Sequence, residues 1–319
     1  IQHAGRKDTR TLMGSNETGE RLEAVMESML TTTVEEDERK RENANINAKL
    51  PAAKMHKIAS ELSKEYSLDH YLPADQAKAH RAGDIHIHDL DFLSETFNCL
   101  QMDLGHILKG GWETEHGFLR EPKRIISAAA LAAITLQVAS VNQFGGVSHN
   151  AFDYSLAPYV ALEFKRQYSN SMSDALLVMS NTFDSGEREK LKEFYSETEK
   201  HYHLCPKMDM QDEFIERERE YLRDNYDMSA QQLNSLQSKV YDLAYHKTDS
   251  LTHEAMVSMT SNVSTMTARA AGQVVFASVN LGTDISAEGR MVTRQLLLAM
   301  DEGLGHGETC IFPIVVFKL

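Results

Sequence analysis

The sequence predicts an α/β protein with a large helical periphery, and three stretches carry that prediction. Near residues 273–317 a β-rich run, a helix and a second β-rich run follow one another, the order of an α/β fold. Residues 123–143, KRIISAAALAAITLQVASVNQ, are apolar nearly all round, the pattern of a buried helix rather than a surface one. Residues 236–270 read as one long helical stretch rich in Met, Ser and Thr.

Taken in order, residues 1–40 are polar and charge-dense, and read as a flexible lead or the remnant of an upstream regulatory region, with a helix suggested by VEEDERKREN at 34–43. From Leu50 to Arg81 the pattern is helical, since Met55, Ile58, Leu62 and Tyr66 recur at three- and four-residue steps. Pro73 suits the first turn of a second short helix. In GDIHIHDLDFL (83–93), Ile85, Ile87 and Leu90 alternate with polar residues as in a strand. Gly145-Gly146 breaks the apolar helix, and SLAPYVALEFKRQY predicts another. Between 172 and 235 charge alternates in sign, and SGEREKLKEFYSETEKHY predicts solvated helix faces.

The last third is the most sharply punctuated. QVVFASVNLG (273–282) predicts a strand, and Ser286 is placed to cap the helix AEGRMVTRQLLLAMDEG, which ends at Gly303. The turn-forming run LGHGETC (304–310) then delivers Cys310 to the strand IFPIVVFKL. There is no internal repeat and no low-complexity tract.

A formal net charge of −14 argues against general nucleic-acid binding, which needs a basic face. It leaves room for a nucleotide, because a phosphate needs only local donors. No apolar run approaches the ~18–20 residues of a membrane-spanning helix, and neither membrane association nor a signal peptide is expected. Three cysteines far apart make no disulfide framework, so the cytoplasm is the expected compartment. The chain begins with Ile1 and ends on a strand-like run, so both ends look trimmed.

Cys310 ends a Gly-rich loop directly before an apolar strand, a place where a thiol is pushed into a pocket while its neighbours hold it. Taken alone, it and Cys99 both read as packed core thiols, and Cys205 in HYHLC reads as structural or incidental. On a strand His86 and His88 would share one face, and with Asp91 they resemble the opening of a metal site. That rival reading makes the chain a metal-dependent hydrolase, but no second set of ligands is evident on later strands. The histidines of HYHLC (201–205) look coincidental.

Five stretches, in order, resemble the anaerobic (class III, glycyl-radical) ribonucleotide reductases: RENANI (41–46), GDIHIHDLDFLSETFNC (83–99), ASVNQFGGVSHNAFDYSLAPYV (139–160), AGQVVFASVNLGTD (271–284) and GLGHGETCIFPIVVFK (303–318). The resemblance implies that residues 41–319 are the N-terminal half of the catalytic barrel, the first half of a ten-stranded α/β barrel of the glycyl-radical type, ending after the finger loop. It implies anaerobic reduction of ribonucleoside triphosphates to deoxyribonucleoside triphosphates for DNA synthesis. Cys310 would carry the thiyl radical, and Cys99 would face the 2′ side of the ribose. Substrate contacts would come from His86, His88, Asn98, Ser278, Asn280, Gly145 and Gly146. His86 and His88 are expected to be buried and hydrogen-bonded near the active site. Gly145-Gly146 would allow close backbone approach, though a plain helix-breaking turn fits equally.

The same resemblance implies a glycyl radical and a structural zinc site on sequence beyond Leu319, formate as reductant with a thioredoxin-like protein as the other option, and no metal site in this stretch. It also implies ATP and deoxynucleotide effectors, a radical S-adenosylmethionine activase and a homodimer. Helix 124–142 would serve as an interface element or as plain core. A non-catalytic nucleotide-binding fragment remains the second rival.

Overall fold

The computed structural model describes residues 20–24, 26–27, 51–93, 99–114, 117–141, 145–179, 185–266 and 274–318. RENANI (41–46) and Asn98 lie outside the described residues. The chain divides into two compact units, each assembled from separate stretches. The first comprises residues 1–101, 135–148 and 263–277, and the second residues 102–134, 149–262 and 278–319.

In the first unit, α1 (Pro51–His70) and α2 (Ala74–Ala82) are joined through Pro73, which precedes α2 directly. Leu68, Ala77 and Leu90 form the local core, with Leu72 and Ile87 packed against it. The stripe read from the sequence is turned the other way: Met55 is 64% exposed, and Leu62 and Tyr66 are also exposed. The buried positions of α1 are Ala53, Ser60, Ser67 and Leu68, because a small-residue face lets the following segment lie close.

That following segment is not a strand. Gly83 closes α2 at φ 80°, and Asp84 N–H donates to Ala79 O at 2.9 Å, so the chain leaves the helix in a left-handed cap. Asp89 also takes a left-handed conformation, φ 51°, and a 3-10 turn follows at Leu90–Phe92. The Ile/His alternation therefore belongs to a loop in which Ile87 and Leu90 pack inward. Ser60 Oγ holds that loop by donating to Asp91 Oδ2 at 2.5 Å.

Continuing along the chain come β1 (Leu100–Met102), α3 (Leu104–Leu108), the antiparallel pair β2 (Trp112–Thr114) and β3 (Gly117–Leu119), then α4 (Ile125–Val141) and β4 (Val147–His149). The long helices follow: α5 (Phe152–Met179), α6 (Ser185–Tyr202), α7 (Asp212–Asn225) and α8 (Ala230–Thr265). The chain ends in β5 (Ala277–Leu281), α9 (Ala287–Glu302) and β6 (Ile314–Phe317).

Strands β1, β4, β5 and β6 hydrogen-bond in that order, and β5 runs parallel to β6 with Ser278 opposite Ile314 and Asn280 opposite Val316. A parallel pair needs a crossover, and α9 supplies it. Helix α9 packs on α5, and it buries Met291, Val292, Leu296 and Ala299, an amphipathic face at helical spacing. The fold is thus mixed α/β, helix-rich, with a parallel strand pair.

Helix α4 departs from expectation on one side. Ala128, Ala129, Ala132, Ala133 and Leu136 are buried, whereas Ile126, Ile134, Val138 and Val141 are exposed. All-round apolarity therefore marks a helix with an uncovered apolar face. The charged helices α6 and α7 are solvated outside, as read, but their inner faces bury Tyr195 and Glu218.

Candidate active site

Within the second unit, the candidate residues flank the parallel pair: the turn at 282–284 follows β5 at the carboxyl ends of the strands, and the loop that carries Cys310 precedes β6 at their amino ends. Ser286 caps α9 by accepting from Gly289 N–H at 3.0 Å. Gly289 is required there, since an added Cβ would lie 2.5 Å from Asp284. At the other end of α9, Gly303 sits at φ 75°, ψ −156°, a conformation that in practice only glycine adopts. A Cβ there would meet Glu308 O at 2.4 Å, and Leu304 N–H donates to that same carbonyl at 3.1 Å. The loop 303–308 is therefore a closed turn, and it leads to Cys310, which is 6% exposed. Ser278 is half-buried and Asn280 is 6% exposed, two positions apart on β5 and so on one face of it.

The carboxylate that fastens this corner went unseen in the sequence. Asp153, fully buried at the start of α5, accepts from Gly282 N–H at 2.8 Å, Thr283 N–H at 3.0 Å and Asp284 N–H at 3.2 Å, all on Oδ2. Its Oδ1 accepts from Thr283 Oγ1 at 2.7 Å and from Tyr154 N–H at 2.9 Å. Gly282, at φ 90°, has no room for a side chain, because a Cβ would meet Lys318 O at 2.3 Å. Lys318 N–H in turn donates to Leu281 O at 2.9 Å.

Two more buried carboxylates stand deeper in this unit. Glu163 receives Arg124 through two hydrogen bonds of 3.0 Å and Gln167 at 2.8 Å. Burial works to raise its pKa, but the hydrogen bonds from Arg124 and Gln167 and the charge of Arg124 outweigh it, and the group sits below the ordinary carboxylate range. Glu218 receives the hydroxyls of Tyr168 and Tyr195 and the amide of Gln237. There burial wins over those hydrogen bonds and raises the carboxyl. His149 is also buried, which pushes its pKa down to about 3 and leaves the ring neutral.

A cleft of about 780 Å³ is lined by the cations Lys123, Arg124, Lys165, Arg166 and Lys192 and by the carboxylates Glu121 and Glu199. The cations come from α5, α6 and the segment before α4, so their convergence is not readable from any one stretch.

In the first unit, Cys99 is exposed, one residue before β1. Leu100 N–H donates to Gly146 O at 3.0 Å, which brings Cys99 and the Gly145-Gly146 turn side by side. A Cβ on Gly146 would lie 3.2 Å from the Phe276 ring, so close packing uses this glycine.

His86 and His88 are exposed rather than buried, with the His88 side chain 78% accessible. They lie on the loop, with ring centroids 5.9 Å apart and His80 at 5.7 Å from His86. Two left-handed turns leave no strand to bury them. Asp91 is engaged by Ser60, and among the described residues no group of three or more His, Cys, Asp or Glu is arranged to hold a metal ion. The hydrolase reading loses its ligand set. Cys205 is half-buried, and burial raises its thiol. No helix among the described residues is long and apolar enough to cross a membrane.

Comparison with known proteins shows the family. The family described as anaerobic ribonucleoside-triphosphate reductase matches residues 42–319. The chain is 38% identical over 128 residues to the anaerobic ribonucleoside-triphosphate reductase of Escherichia coli (strain K12), covering 39% of this chain and 18% of that protein. Against the protein of the same name from Enterobacteria phage T4 it is 27% identical over 279 residues, covering 86% of this chain and 36% of that protein. The match to the Haemophilus influenzae protein is 35% over 133 residues, 41% of this chain and 19% of that protein. The chain thus spans between about a fifth and about a third of the length of the curated relatives it matches. With the match running from residue 42 through the Cys310 loop to residue 319, the chain belongs to the anaerobic ribonucleoside-triphosphate reductase family.

Proposed function

We propose that residues 41–319 of this chain are the N-terminal half of the catalytic barrel of a cytoplasmic, homodimeric anaerobic ribonucleoside-triphosphate reductase, acting by thiyl-radical chemistry. The observation that carries the reading is Cys310: a thiol 6% exposed, at the end of a glycine-closed turn, within the stretch the family matches. Shelter from solvent and a fixed position are what a sulfur radical needs to attack one C–H bond.

Cys310 Sγ–H would give up its hydrogen atom to a glycyl radical on another segment, which a radical S-adenosylmethionine activase would generate and which would supply the one-electron oxidation. Cys310 Sγ then takes the ribose 3′ hydrogen atom and returns it at the end. Cys99 would protonate the departing 2′ hydroxyl, which leaves as water, and would deliver a hydrogen atom to C2′; formate, oxidised to carbon dioxide, would supply the two electrons and one proton of the net reduction, and solvent the second proton. Ser278 and Asn280 on β5, His86 and His88 on their loop, Asn98, and the Gly145-Gly146 turn are the proposed substrate contacts. The basic cleft at Lys123, Lys165 and Arg166 suits the triphosphate of an ATP or deoxynucleotide effector, because three phosphates need several converging cations. The structural zinc of the reading lies on sequence other than this stretch.

Activated anaerobically with formate, the complete protein is expected to convert ribonucleoside triphosphates into deoxyribonucleoside triphosphates. A metal-dependent hydrolysis that disappears in His86→Ala, with no deoxy product, overturns the reading.

A further inference from the structure

The cations of the cleft between α5 and α6 differ in how firmly each is held. Arg124 gives two hydrogen bonds to Glu163, a carboxylate with no exposure at all. Taking Arg124 away would strand a buried charge, so this cation is committed. Lys192 meets Glu189 three residues earlier on α6 at 2.9 Å, and both side chains are more than half exposed. Such a pair holds neither partner strongly.

Lys165 is in a third situation. It stands on α5, and its ammonium is taken by the carboxylate of Glu199 on α6. Both residues line the cleft, so the pair runs from one helix wall to the other. Along α6 the lining residues Lys192, Tyr195, Ser196 and Glu199 recur at three- and four-residue steps, which sets Glu199 on the same face as the rest of that wall. The other lining carboxylate, Glu121, already accepts from Gly110 N–H at 3.1 Å. Glu199 is therefore the carboxylate of the cleft that occupies one of its phosphate-binding cations.

An anion entering the cleft reaches the Lys165 ammonium only once Glu199 has let it go. The exchange is feasible for two reasons. The Glu199 side chain is 46% exposed and that of Lys165 31%, so water screens their attraction, and the released carboxylate is rehydrated. A phosphate chain also offers several charged oxygens to the converging cations, where Glu199 offers a single charge. The carboxylate nevertheless stays close by, and its charge opposes any anion that arrives.

We propose that Glu199 is a built-in competitor for the effector cleft: its carboxylate occupies Lys165, and a nucleoside triphosphate binds by displacing it. This inference rests on the reading of the cleft as an effector site and adds the exchange that sets its affinity. Glutamine at 199 keeps the size of the side chain and removes the competing charge.

The test is equilibrium binding of dTTP to the complete protein. Lys165→Gln is expected to weaken binding about tenfold, which locates dTTP in this cleft. Glu199→Gln is expected to tighten it by about three- to tenfold. In the double variant the gain from Glu199→Gln should shrink to less than about twofold, because the competition acts through Lys165. Glu199→Ala repeats the measurement should Glu199→Gln fail to fold. Unchanged or weaker dTTP binding in the Glu199 variants overturns the proposal, and weaker binding would mean that Glu199 orients Lys165 instead of competing for it. The effector reading then still stands on the loss in Lys165→Gln. Unchanged binding in Lys165→Gln, or none in the wild type, removes the effector reading and the inference with it.

Discussion

The second unit buries three carboxylates completely, whereas no Asp, Glu, Lys or Arg among the described residues of the first is buried. In the second unit each of these carboxylates is satisfied differently: Asp153 by backbone amides, Glu163 by Arg124, Glu218 by two tyrosine hydroxyls and an amide. Around His86, the charges form a surface cluster in which Arg81 reaches Glu65 at 3.1 Å and Asp69 at 2.6 Å, and Arg21 also meets Glu65. Buried polar groups cost free energy unless every partner is in place, so they tolerate one arrangement only. Surface pairs are screened by water and tolerate many. The difference teaches where this chain demands a fixed geometry: at the three buried carboxylates of the second unit.

The largest expected effect is at Glu218. Replacing it by alanine strands Tyr168, Tyr195 and Gln237 at once and should cost about 3–4 kcal/mol, read by denaturant unfolding of the complete protein. The same group makes a pH prediction. A carboxyl whose folded pKa is raised favours folding at low pH, and that stability is lost as pH rises from the ordinary carboxylate range through the raised value. Glu163, held low, works the other way: its contribution is present above the ordinary range and is lost as pH falls through its lowered value. Glu218→Gln should therefore flatten the decline on the rising-pH side and leave the acid side unchanged. A pH–stability curve identical to wild type would mean that the buried carboxylates do not set this unit's pH response.

Next in size is Gly303→Ala, which forces a side chain into a glycine-only conformation and against Glu308 O; about 1–3 kcal/mol of strain should appear as lowered Tm together with reduced turnover. Ser286→Ala, which removes the cap of α9, should cost about 1 kcal/mol. In the first unit Arg81→Ala should cost about 0–1 kcal/mol and lose even that at high salt. His86→Ala and His88→Ala should leave stability within about 0.5 kcal/mol, because both rings are exposed. If they touch substrate, KM rises with kcat unchanged; an unchanged KM removes them from the site.

Much of the second unit was legible because its local signals agree. Helix α6 occupies the span of the charged run SGEREKLKEFYSETEKHY, and Ser286 and Gly303 bracket α9 as caps should. The alternating run at 83–93 misled because period-two alternation cannot register the left-handed turns at Gly83 and Asp89. The uncovered face of α4 and the outward stripe of α1 escaped because periodicity reports which residues share a face, not which face is covered. Asp153 escaped for a different reason: its partners lie 129 to 131 residues away, and a lone Asp in FDYSLAPYV looks like any helix-starting acid. Cys310 was legible by its loop and its family resemblance, and Cys99 by resemblance alone.

The most direct measurement is turnover of Cys310→Ser in the complete, radical-loaded protein, beside equilibrium binding of the same ribonucleoside triphosphate. Serine keeps the size and the hydrogen-bonding capacity but does not yield a comparable radical, so turnover is expected to vanish with binding intact. Residual turnover near the wild-type rate would contradict the account.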